Sequence, residues 1–298
     1  MDDAPLPSPA DLSPLELSRI IDTALQEDLA SGDATTRAVV PPDAFARGEL
    51  VTREPMVLAG VAVAAQVFAR VDPRVRFRSQ LTDGAHCAAR DVIARVDGPA
   101  HGVLTAERVA LNLLQRMCGV ATRTRDFVRA VPAGAVTRIT DTRKTTPGLR
   151  ALERYAVRLG GGINHRNDLG AGILIKDNHI AICGGVRATI ERARKSAPHT
   201  LRIECEVGSL AQLDEALAAR ADVIMLDNFD DAMVAEAMER VAKATPRPLI
   251  EVSGGVKLER IATLAGYGVD VISIGSLTHG ARAIDIGLDV TVTGQWTT

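Results

Sequence analysis

The sequence predicts an α/β fold: a barrel of the TIM kind, complete or open, behind a smaller region built on an antiparallel sheet. Periodicity is the first observation. Beyond about Val136, six short apolar-rich runs (Val136–Thr140, Gly172–Ile175, Leu201–Cys205, Val223–Leu226, Leu249–Val252 and Val271–Ile274) are each followed by an Ala-rich amphipathic stretch. Spacing is the second. Counted from Ile203, Ile224, Ile250 and Ile272, the last four runs recur after about 21, 26 and 22 residues, the repeat of a strand–helix unit with parallel strands. Size is the third. The chain has 298 residues, 46% hydrophobic and 24% charged, more than one ordinary domain and enough apolar material for a packed core. Roughly six or seven such units favour closure over a flat sheet.

Taken from the N-terminus, the first ten or so residues read as a loose tail. Ser13-Pro14-Leu15-Glu16 then joins a capping residue, a proline at the first helical position and an acidic first turn. Leu17, Ile20, Ile21, Ala24 and Leu25 supply the apolar stripe of that helix. Glu49–Thr52, Val75–Arg78 and Asp91–Val96 alternate polar with apolar between Gly, Pro and Asp, which predicts a small antiparallel sheet with one wet face. A long helix follows, capped near Thr105–Arg108 and carrying Val109, Leu113, Met117 and Val120 at helical spacing. After the run at Val136, the residues Pro147, Leu149, Leu152, Ala156 and Leu159 predict a helix that Gly160 stops.

Composition excludes several functions. A net charge of −2 provides no basic field for nucleic acid, and 3% aromatic residues make no base-stacking surface. Cys87, Cys118, Cys183 and Cys205 are scattered, so neither a disulfide framework nor a zinc knuckle is expected. No GxGxxG follows an early strand. The acidic, Pro-rich start lacks a signal pattern. The best apolar stretch, Val57–Ala65, falls well short of the roughly 20 residues that span a bilayer. A cytoplasmic protein without nucleic-acid or membrane partners is the expectation.

Reactive groups of a parallel barrel collect beyond the carboxyl ends of its strands. There the sequence places Asp141-Thr142-Arg143-Lys144, then Gly160-Gly161-Gly162 leading to His165-Arg166, then Lys176-Asp177-Asn178-His179. Between Asp141 and His179 seven cations face four acids, about +3 in a chain of −2. Arg143, Lys144, Arg166 and Lys176 converging on one mouth would repel one another unless a multiply charged anion lay among them. Glu204 and Glu206 share one side of a strand, and Asp227 ends another. Such strand-end acids are either helix caps or oxygen ligands for Mg2+ with substrate phosphates. Ser253-Gly254-Gly255 and Gly275-Ser276, at the last two strand ends, are either plain turns or backbone that cradles a phosphate.

These segments resemble the quinolinate phosphoribosyltransferase family, the decarboxylating nicotinate-nucleotide pyrophosphorylases. The similarity runs through Glu27-Asp28-Leu29-x-x-Gly32-Asp33, Glu107-Arg108-x-Ala110-Leu111-Asn112, Asp141-Thr142-Arg143-Lys144-Thr145-x-Pro147-Gly148, and Gly160-Gly161-Gly162-x-x-His165-Arg166. It continues through Ile175-Lys176-Asp177-Asn178-His179, Glu204-Cys205-Glu206-Val207, Leu226-Asp227-Asn228-Phe229 and Ser253-Gly254-Gly255. The resemblance implies an α/β protein: an open or incomplete TIM-like barrel over 116–279 and a smaller N-terminal α+β sandwich domain over 1–115, onto which the tail 280–298 returns. It implies that Arg143, His165, Arg166 and Lys176 bind quinolinate, with Arg108 reaching in from a neighbouring subunit of a homodimer or homohexamer, and that Thr142 is a further substrate contact. Lys144, Glu206 and Asp227 would be the catalytic groups, Glu206 and Asp227 holding Mg2+ with phosphoribosyl pyrophosphate. Ser253, Gly254, Gly255, Gly275, Ser276 and Leu277 would meet the 5-phosphate region. Three rivals remain. A nicotinate phosphoribosyltransferase has less need of four cations, and a molybdenum-transport relative would not require His165-Arg166 intact. A non-catalytic sensor of phosphorylated ligands would not require the acids.

Overall fold

The computed structural model describes residues 8–295, so residues 1–7 of the expected tail lie outside it. By its contacts the chain falls into two units. Among the described residues one comprises 126–144 and 162–276; the other holds 8–125, 145–161 and 277–295.

In the second of these, α1 (Pro14–Asp28) begins as expected, with Ser13 Oγ accepting the Glu16 N–H and Leu17, Ile20, Ile21 and Leu25 buried. Then come α2 (Ala34–Val39), β1 (Ala44–Thr52), β2 (Met56–Val57), α3 (Val61–Val71), β3 (Arg76–Ser79), β4 (His86–Cys87), β5 (Val92–Pro99) and α4 (Ala100–Arg129). The three expected strands are present as β1, β3 and β5, with β1 and β3 each pairing antiparallel to the central β5. α4 starts at Ala100, ahead of the cap expected near Thr105. The Thr105 hydroxyl instead donates to Asp33 at 3.0 Å, so it caps nothing. This single helix also runs through residue 115, where a domain boundary was expected.

The other unit holds the strand–helix repeats: β6 (Arg138–Thr140), β7 (Ile173–Ile175), α6 (Asp177–Cys183), α7 (Val186–Ser196), β8 (Ile203–Val207), α8 (Leu210–Ala218), β9 (Val223–Asp227), α9 (Asp231–Val241), β10 (Leu249–Ser253), α10 (Ile261–Gly266) and β11 (Val271–Ser273). α5 (Arg150–Leu159), which lies between β6 and β7 in the chain, groups with the unit that holds α1. It begins at Arg150 rather than Pro147, because Thr146–Leu149 closes a turn through a Leu149 N–H to Thr146 C=O bond. The chain ends in β12 (Ile286–Gln295), which pairs antiparallel with β1 and completes a sheet of order β12-β1-β5-β3.

The six parallel strands run in the order β6-β11-β10-β9-β8-β7. Consecutive strands from β7 to β11 are neighbours, and the last pairs with β6, so only the β6–β7 seam is open. That is an incomplete barrel. Ile163 bridges to Thr140 beside the seam. The side-chain period of two divides each strand. Cys205, Ile224, Leu226, Ile250, Val252 and Ile272 are fully buried, while Glu206, Met225, Asp227, Glu251, Ser253 and Ser273 line an internal cavity.

Candidate active site

The carboxyl ends of the strands form one mouth. Thr142, Arg143, Lys144, His165, Arg166, Lys176, Glu206, Asp227, Ser253, Gly254 and Gly255 all line a single cavity of about 540 Å3. A larger hollow of about 850 Å3 lies at the opposite, amino ends of β8 to β10. Barrel chemistry is built at the carboxyl ends, and the smaller cavity is the one that holds the strand-end acids.

Each side chain is placed by its element. Asp141 follows β6 fully buried and accepts from the His165 N–H and from Asn164 Nδ2, both at 2.7 Å, which pins the His165 loop to the strand end. The Arg166 N–H donates to His165 Nδ1 at 2.8 Å, and Arg166 Nη1 donates to the Gly172 carbonyl at 2.9 Å. At the start of α6 the Lys176 N–H donates to His179 Nδ1 at 2.8 Å. His179 is therefore occupied in local structure. Lys144 receives a turn from Thr142, whose Oγ1 accepts the Lys144 N–H at 3.1 Å.

The triple glycine serves packing and turning. A Cβ on Gly160 would lie 2.6 Å from the Ala121 carbonyl and the Thr124 side chain, and Gly161 has φ +90°. Gly254 has φ +95°, and a Cβ there would meet Asn228 Oδ1 at 2.3 Å. The Ser253–Gly255 turn is thus shaped by close approach to the end of β9.

Electrostatically the mouth is crowded with positive charge. Burial first, and the Arg143 charge second, pull the Arg166 guanidinium below its ordinary value. Arg143 Nε is buried without a hydrogen-bond partner, a donor suited to an anion. Lys176 Nζ donates to Glu206 Oε2 at 2.5 Å, a pairing the sequence did not suggest. Asp227 lies opposite Ser253 in the β9–β10 register and accepts from Asn228 Nδ2 at 2.7 Å. It is not a helix cap, because Asp230 caps α9 by accepting the Met233 N–H. Two carboxylates in one cavity are hard oxygen donors of the kind Mg2+ takes alongside phosphate, so the donor set fits that ion.

Beneath the mouth lies a cluster the sequence reading did not assemble. His165 Nε2 is 3.3 Å from Glu204 Oε2 and 3.5 Å from Glu251 Oε2. Both carboxylates are buried, and Glu204 Oε1 and Glu251 Oε1 have no hydrogen-bond partner. Burial and then the His165 bond act in opposite directions on Glu204, with the Glu251 charge adding to burial, and the net shift is upward. Burial alone would lower His165, but its bonds to Glu204 and Glu251 push it up. With Nδ1 accepting the Arg166 N–H, the proton facing the two carboxylates is the one on Nε2. Glu251 was legible as a lone acid inside the apolar run Leu249-Ile250-Glu251-Val252. Asp141 carried no such signal.

Four expected residues lie outside the cavity. Arg108 is on α4 with its side chain 60% exposed, 4.0 Å from Glu107. Gly275, Ser276 and Leu277 form a 3-10 turn past β11. The Leu277 side chain is fully buried, which leaves only its backbone for a ligand.

An incomplete α/β barrel whose mouth joins four cations to two strand-end acids defines a barrel protein built to hold anionic ligands. Residues 33–118 match the N-terminal domain, and residues 120–289 the C-terminal domain, of quinolinate phosphoribosyl transferase. The chain belongs to that family. It is 47% identical to the nicotinate-nucleotide pyrophosphorylase (carboxylating) of Mycobacterium leprae, over 94% of this chain and 100% of that protein. It is 42% identical to the probable nicotinate-nucleotide pyrophosphorylase (carboxylating) of Bacillus subtilis, over 94% of this chain and 96% of the other. Among solved structures, NadC from Streptococcus pyogenes superposes with a TM-score of 0.89 at 40% identity, over 95% of this chain and 99% of that one.

Proposed function

We propose that this chain transfers phosphoribosyl from 5-phosphoribosyl-1-pyrophosphate to quinolinate with loss of CO2, giving nicotinate mononucleotide and pyrophosphate for NAD biosynthesis. The observation that carries this is the convergence of Arg143, Lys144, Arg166 and Lys176 with Glu206 and Asp227 in one cavity. A ring bearing two carboxylates answers the crowded cations, and a pyrophosphate with its metal answers the acids.

In this reading Arg143, Arg166 and Lys176 grip quinolinate, with Thr142 and the ring of His165 beside them. Lys144, Glu206 and Asp227 face phosphoribosyl pyrophosphate, and Ser253, Gly254, Gly255, Gly275, Ser276 and the Leu277 backbone face its 5-phosphate. Mg2+ held by Glu206 and Asp227 would supply positive charge to the departing pyrophosphate. Lys176 and Glu206 neutralise each other and exchange that contact for quinolinate and the phosphoribosyl group respectively. As pyrophosphate leaves, positive charge builds at the ribose C1 and the pyridine nitrogen attacks there; the preorganised charges stabilise what develops. The adjacent positive nitrogen stabilises the electron pair left on the ring carbon when its carboxylate departs as CO2, a proton from solvent then completes that carbon, and no nucleophilic side chain is needed. Arg108, exposed on α4, completes the quinolinate site of a neighbouring subunit, which makes the enzyme a homo-oligomer with shared sites. A cytoplasmic location belongs to the same reading.

The test is release of labelled CO2 from quinolinate with phosphoribosyl pyrophosphate, with and without Mg2+. CO2 release that depends on both substrates and on the metal is expected. Activity on nicotinate in place of quinolinate, or ligand binding without turnover, would sink the assignment.

A further inference from the structure

We propose that Glu204 and Glu251 are positioning residues for the quinolinate site: between them they hold the Nε2–H of His165, fixing the ring so that Nδ1 receives the Arg166 backbone N–H. This rests on the reading of the cavity as a quinolinate site. Three observations support it. Both carboxylates lie within 3.5 Å of the same ring nitrogen. Neither has another hydrogen-bond partner for its second oxygen, although both are buried. The ring nitrogen on the far side accepts the N–H of the residue whose guanidinium reaches the mouth.

The same three side chains have the spacing of a metal site, and the tautomer decides against it. A metal takes the lone pair of Nε2, and that lone pair exists only if the proton moves to Nδ1. The Arg166 N–H bond to Nδ1 would then be lost. The two acids therefore act through His165, as carboxylates orient a histidine whose other nitrogen is already committed. Arg166 inherits the order, since its backbone is tied to Nδ1 and its side chain to the Gly172 carbonyl.

The test replaces both acids together. In Glu204→Leu/Glu251→Leu the KM for quinolinate rises about tenfold or more while that for phosphoribosyl pyrophosphate stays within about twofold. Glu204→Gln/Glu251→Gln, whose amide oxygens still accept from Nε2–H, restores the quinolinate KM to within about threefold. In a His165→Ala background the double leucine change adds less than about twofold, as expected for groups acting through one partner. Equal rises in both KM values, no recovery with glutamine, or additive losses would overturn the proposal. If the double leucine variant does not fold, Glu251→Leu alone is read against a threefold rise. A readout free of turnover is the imidazole nitrogen NMR of His165. One protonated nitrogen and one acceptor nitrogen are expected in the wild type and the glutamine variant, and mixed tautomers in the leucine variant. An unchanged tautomer in the leucine variant overturns the idea. A wild type without quinolinate-dependent CO2 release would overturn the parent reading alone, and the NMR comparison would still decide this one.

Discussion

Arg166 shows how one residue is made into a binding group. Its backbone is fixed by His165 and its guanidinium by the Gly172 carbonyl, while burial and Arg143 make its charge uncomfortable. An anion relieves that strain. Arg166→Ala should lower kcat/KM for quinolinate by at least about a hundredfold, the order expected when a desolvated charge partner is removed. Circular dichroism and Tm should stay near wild type, and wild-type turnover would refute the role. Asp227→Asn keeps the shape of the strand end and removes a charge. The KM for phosphoribosyl pyrophosphate and the Mg2+ requirement should each rise about tenfold or more. The quinolinate KM should move less than half as far, and equal shifts for the two substrates would count against the assignment. The residues of this mouth were legible because strand-end placement and charge excess both pointed to them. The Lys176–Glu206 pair and the His165 cluster were not, because they join residues whose proximity depends on sheet register.

At the scale of elements, strands and apolar stripes were read well, and so was the start of α1, but those of α4 and α5 were not. The runs at Leu249 and Val223 announce buried parallel strands by composition alone. The start of α4 was placed late because Thr105 looks like a cap, and its hydroxyl is instead committed to Asp33. Within the triple glycine, Gly161 takes φ +90°, and Gly160 makes room for the backbone of α4. One cross-element tie escaped the sequence entirely. The guanidinium of Arg116 on α4 donates to the fully buried Glu153 of α5 and to the carbonyls of Thr278 and Ala281. Glu153 also receives the N–H and hydroxyl of Thr146. Glu153→Ala leaves that half-buried cation without its charge partner, at a cost of about 3 kcal/mol. Tm should fall by roughly 5–8 °C, and a shift under 2 °C in differential scanning calorimetry would show that the tie carries little.

Across the molecule, the returning C-terminal strand covers the edge of β1 and is anchored at its start. Arg282 Nη1 donates to Glu54 Oε1 at 2.7 Å and the Asp285 N–H donates to the same oxygen at 2.9 Å. The Arg282 bond first, and the Asp285 N–H second, bring the Glu54 carboxyl from an ordinary 4.5 down to about 2. A depressed carboxyl stabilises the fold above its unfolded value and loses that contribution as pH falls through the folded one. The Tm gap between wild type and Glu54→Gln should therefore be constant near neutrality and close between about pH 4.5 and 2. A gap unchanged down to pH 2 would show that the anchor is not ionic.

Thr140 and Ser273 at the ends of β6 and β11, and Glu204 and Glu251 within β8 and β10, are buried where branched aliphatic side chains ordinarily stack. A selection for heat resistance alone would therefore rewrite these positions in leucine and isoleucine, and the survivors would be hardy and inert. Tolerance to boiling and fitness for chemistry pull these four sites in opposite directions.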